Sequence, residues 1–119
     1  MGSNLDYLAT LQLLGIITDA QREQLASETF KIAMCYLRRQ QGRRRINPAD
    51  VEPCACLAVC SALSRCQRWN RGRWAGYVCM TAEYALRDLR RADDRWQRSR
   101  DAAREKALMD GQLEGGDSP

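Results

Sequence analysis

The chain has 119 residues and a mass of 13.6 kDa, one domain's worth of sequence, with 19 basic and 15 acidic side chains, six cysteines and no histidine. The missing histidine excludes Ser-His triads, Cys-His dyads and zinc enzymes with imidazole ligands. A composition 45% apolar and 29% charged is that of a globular protein, and no apolar run approaches the roughly 18 residues of a membrane span.

No stretch alternates apolar and polar residues long enough to propose a strand. The sequence therefore predicts an all-α fold, a small bundle of about four helices with a long C-terminal helix. A first helix is expected over residues 6–14, with Leu5, Leu8 and Leu11 at helical spacing, Ser3 or Asn4 as cap and Gly15 as stop. Thr18 opens the second, and Gln21 three residues on completes a capping-box pattern. Its inner face reads Leu25, Phe30, Ile32, Ala33, Tyr36 and Leu37, and it ends near Gly42. Arg43 to Arg45 form a loop closed by Asn47-Pro48, a cap followed by proline at the first helical position. Pro53 predicts a break, so a single turn after Pro48 and a fresh helix over residues 53–69 are expected. Asn70-Arg71-Gly72 is a turn, and residues 73–109 a long helix with the stripe Trp74, Val78, Thr81, Ala85, Leu89, Ala92, Trp96, Ser99, Ala103. Residues 1–110 are read as one helical domain and 111–119 as a disordered acidic tail.

Charge is unevenly spread. Residues 1–37 carry a net −2, residues 38–73 a net +7, residues 74–100 a net +2 and residues 101–119 a net −3. Seventeen of the nineteen basic residues are arginine. The basic middle holds two clusters: Arg38, Arg39, Arg43, Arg44 and Arg45, then Arg65, Arg68, Arg71 and Arg73 with Trp69 and Trp74 interleaved. Guanidinium pairs bidentately with phosphate and indole offers a stacking face to an unstacked base, so Arg38, Arg39, Arg43, Arg44, Arg45, Arg65, Arg68, Trp69, Arg71 and Arg73 are the candidate contact residues. Each cluster follows a helix end; simple antiparallel packing places the two at opposite ends, a crossed or bent arrangement brings them together, and the sequence does not decide between these. The C-terminal helix is chiefly a salt-bridged solvent face, on which Trp96 suggests pairing with a second copy.

Cys54, Cys56, Cys60 and Cys66 run as C-x-C-x3-C-x5-C. Four thiolates are a conceivable metal set, but the spacing matches no structural zinc pattern. The helical phase instead puts Cys56 and Cys60 on a core face with Val59 and Leu63, and Cys54 on the other side. Arginines near Cys66 lower a thiol pKa but accept no proton, and no glycine-rich phosphate loop is present, so the chain is read as no enzyme and as needing no cofactor. The expected function is a small cytoplasmic regulatory protein that binds nucleic acid or a nucleoprotein complex through its arginine-rich centre. The alternative is an inhibitor or adaptor whose basic face docks on an acidic protein. No membrane partner is expected, and a homodimer through the C-terminal helix is.

Overall fold

A computed structural model describes the backbone of residues 2–114 and the side chains of residues 4–110. The fold is all-α, a small helical bundle: α1 (Gly2–Leu14), α2 (Asp19–Arg43), α3 (Pro48–Ser64) and the long α4 (Trp74–Glu114), with a short 3-10 turn at Cys66–Arg68 and no strand among the described residues. No described helix is long and apolar enough to cross a membrane. The chain divides into two units, residues 1–86 and residues 87–119, a boundary inside the stretch that the sequence reads as one domain.

The helix ends follow local chemistry. α1 stops at Gly15, which sits at φ +74° and donates to Gln12 O, while Ile16 donates to Leu11 O. This is the Schellman arrangement, for which glycine carries no Cβ penalty. Thr18 and Gln21 form the reciprocal capping box that opens α2. Asn47 caps α3, its side-chain oxygen accepting from Ala49 N, with Pro48 at the first position. The Asn70 side chain accepts from Gly72 N, and Arg71 between them takes φ +64°.

Two boundaries differ from expectation. α3 is continuous through Pro53, whereas the sequence predicts a break there. Pro53 lies on the exposed face about one turn into the helix, and burial of Val51, Cys54, Ala55, Ala58 and Ala62 on the opposite face outweighs the missing N–H bond. α4 continues to Glu114, beyond Gly111, so the expected tail begins as helix; residues 115–119 lie outside the described residues.

The core of the first unit gathers one stripe from each helix: Leu8 and Ala9, then Leu25, Ala33 and Leu37, then Val51, Cys54, Ala55, Ala58 and Ala62, then Trp74, Val78, Ala82 and Leu86. α3 presents mainly alanine and packs chiefly on α2, because small side chains let two helix backbones approach closely. The helical phase of α3 is therefore the reverse of the sequence reading. Cys54 and Cys66 are buried, Cys56 and Cys60 are exposed, and Val59 and Leu63 are only half-buried. Phase follows the row of small residues that fits against α2, not the larger aliphatics. In the second unit every described side chain except the half-buried Leu89 is exposed.

Candidate functional site

Polar contacts fix where the arginine clusters fall in the first unit. The indole Nε1 of Trp74 donates to Thr29 Oγ1 at 2.9 Å, which ties the start of α4 to the middle of α2. Two and a half turns later, Glu83 on α4 receives both Tyr36 Oη (2.7 Å) and Arg44 Nη1 (2.9 and 3.0 Å to its two oxygens) from the end of α2 and the loop after it. α4 thus runs alongside α2 in the same sense. Residues 74 and 83 are nine apart on one helix, roughly 13 Å along its axis.

The first cluster accordingly lies beside Glu83 and the second around Trp74. The two meet α4 at different residues, Arg44 on Glu83 and the Arg65 carbonyl on Tyr77. Arg38, Arg39, Arg43 and Arg45 are exposed in the first cluster, and Arg65, Arg68, Arg71 and Arg73 in the second. No carboxylate occurs between Glu28 and Asp50 or between Glu52 and Glu83, so neither cluster has an acidic neighbour in its own stretch of sequence.

Two of the expected contact residues have other positions. Trp69 is 5% exposed and meets the fully buried Trp74 edge-on, ring centroids 5.3 Å apart, with Tyr77 stacked obliquely on the other side of Trp74 at 5.2 Å. Trp69, expected as a stacking face, joins Trp74, which the helical stripe already placed inward, in the aromatic centre of the core. Arg44 is the second correction: it is a strut between the α2–α3 loop and α4. Its partner Glu83, with a side chain 13% exposed, is held by two cross-helix donors. Sequence reasoning does not single out Glu83 or Thr29, and reads Tyr36 only as part of the inner face of α2. A signal existed for Glu83, the single carboxylate between Glu52 and Asp88 and a member of an otherwise uncharged run on the buried half of α4.

The first cluster also borders a groove of about 590 Å³ along α2, lined by Phe30, Lys31, Met34, Cys35, Arg38 and Arg39. Its floor is apolar and its rim is basic. At the second cluster, Tyr77 Oη donates to Arg65 O at 2.8 Å, and Asp6 Oδ1 accepts from Trp74 N at 2.8 Å. α1 thereby supplies the cap of α4, and the Arg71–Arg73 segment is anchored at its C-terminal side.

Cys54 and Cys66 are buried while Cys56 and Cys60 face solvent, and no group of three metal-binding side chains occurs among the described residues. Burial, with a smaller effect from Asp50 and Glu83, pushes the Cys54 thiol up to about 11. A thiol so shifted is a packing group at neutral pH, not a nucleophile. No protein-family model matches the chain, and no curated protein or solved structure is significantly similar to it.

Proposed function

We propose that the chain is a non-enzymatic regulatory protein that grips the phosphate backbone of a nucleic acid, alone or within a nucleoprotein complex, and acts by occupancy. The observation that carries this reading is the pair of exposed arginine clusters, Arg38, Arg39, Arg43 and Arg45 at the end of α2 and in the loop after it, and Arg65, Arg68, Arg71 and Arg73 between α3 and α4. Guanidinium groups suit phosphate bidentately, and eight of them on one small unit favour a polyanion. Burial of Trp69 and Trp74 takes away the stacking contribution, so the reading favours a duplex backbone over unstacked bases. The cytoplasm suits this reading, since its reducing poise keeps six cysteines as thiols. Self-association through the C-terminal helix belongs to the same proposal, because Trp96 there is 64% exposed.

Titration with generic duplex and single-stranded nucleic acid at two salt concentrations is the test. Engagement of one cluster with about four phosphates gives a log–log salt slope near −4 on duplex. Arg71→Glu with Arg73→Glu, or Arg38→Glu with Arg39→Glu, then weakens binding and flattens the slope at unchanged helical content. Absence of binding to either nucleic acid at low salt overturns the reading.

A second reading has its own observation, the groove of α2 with Phe30 and Met34 beneath Lys31, Arg38 and Arg39. An acidic amphipathic segment of a protein fits such a groove by charge and by apolar contact. Met34→Asp separates the two readings: it abolishes capture of an acidic amphipathic peptide and leaves binding at the Arg71–Arg73 end intact.

A further inference from the structure

The described part of α4 in the second unit repeats apolar or small residues at steps of three and four: Leu89, Ala92, Trp96, Ser99 and Ala103. Written as a heptad, Leu89, Trp96 and Ala103 occupy a positions, and Ala92 and Ser99 occupy d positions. The flanking e positions are then Asp93 and Arg100, and the g positions are Asp88 and Arg95. Every side chain from 90 to 110 is exposed, so the Trp96 indole stands in water on an otherwise charged helix. Covering a ring of that size is favourable, and the residues beside it state what covers it.

The charges select both the partner and its direction. In a parallel pair of copies each g residue meets the e residue five positions later on the other helix. Asp88 then meets Asp93, and Arg95 meets Arg100, like against like on both flanks. An antiparallel pair opposes e with e and g with g. In the register that sets Trp96 against Ser99 of the second copy, Asp93 meets Arg100 of the second copy, and the two-fold axis repeats that pair. Arg95 falls beside Ala102 of the second copy, where no like charge opposes it. The core layers set large against small, Trp96 on Ser99 and Ala92 on Ala103, while Leu89 lies along the aliphatic stem of Lys106.

We infer that residues 89–106 pair with the same segment of a second copy of this chain, antiparallel, with Trp96 near the two-fold axis. This deepens the self-association within the proposed function and rests on it. Sedimentation equilibrium of the full chain tests it. The expected result is a reversible dimer, weakened at least about tenfold by Trp96→Ala at unchanged helical content. Asp93→Arg sets arginine against arginine twice and weakens the dimer about tenfold, and adding Arg100→Asp to that variant restores it. A full chain that stays monomeric to about 100 μM overturns the pairing and the self-association together. A dimer that tightens on Asp93→Arg overturns the antiparallel direction alone, because a parallel pair would then match Asp88 with the new charge. Neither outcome touches the arginine clusters, which the nucleic-acid titration judges separately.

Discussion

Cys54 and Cys56 are two residues apart and occupy different environments. Cys54 is 1% exposed with its thiol pushed up to about 11, while Cys56 faces solvent. Brief alkylation of the folded protein near pH 8 should therefore modify Cys35, Cys56 and Cys60 and leave Cys54 and Cys66 until the chain unfolds, a difference read by mass spectrometry. The same shift has a stability consequence. Between pH 9 and 11 the unfolded chain releases the Cys54 proton and the folded chain keeps it, so the unfolded state binds fewer protons and stability falls as pH rises. The loss from this group is about 2–3 kcal/mol across that window. Tyr36, Tyr77 and Cys79 are raised as well, each chiefly by burial, and act in the same direction. Urea midpoints measured from pH 8 to 11 should drop, and Cys54→Ala should flatten the drop. The cysteine spacing was visible in the sequence, but which thiols are inside depended on the helical phase of α3. Size alone points Val59 and Leu63 inward, whereas it is the smaller alanines of α3 that are buried.

At the scale of the element, starts and stops came from short-range chemistry, and most were legible. The capping box of Thr18 and Gln21, the Asn47-Pro48 start and the Gly15 stop each satisfy backbone groups within a few residues, so nothing distant can revise them. The cap of α4 is of another kind. Asp6, in α1, accepts from Trp74 N across 68 residues of sequence, and no local pattern announces it. Asp6→Ala should cost about 1 kcal/mol in a denaturation experiment, and Asp6→Asn much less because its Oδ1 still accepts. The Glu83–Arg44–Tyr36 contact is equally non-local. It explains why one arginine of the first cluster belongs to the architecture while its neighbours face solvent. A proline deletes one hydrogen bond and so predicts a break at Pro53, yet α3 runs whole through it with five buried residues on its opposite side.

For the whole molecule, the modest net charge of +4 covers a basic middle of two exposed arginine clusters, one at the end of α2 and in the loop after it, the other between α3 and α4. The second unit has its own character: side chains 90–110 are all exposed, so they add little to burial. Ending the chain after Leu89 should leave its thermal midpoint within about 4 °C of the full chain's, less than about 1 kcal/mol of stability, while abolishing self-association. Calorimetry of the shortened chain alongside sedimentation checks both halves of that expectation.

By itself the sequence determined the helical class, the number of helices and most of their ends, because periodicity, caps and turn residues act over one or two turns of chain. It also determined where basic residues concentrate. Only the tertiary structure decided that Trp69 is core and not a stacking surface, that Arg44 is a strut, and that Cys54 is buried in place of Cys56. Those outcomes depend on which faces meet across distant segments. Burial and cross-helix hydrogen bonds are energies of such meetings, which no single stretch of chain contains.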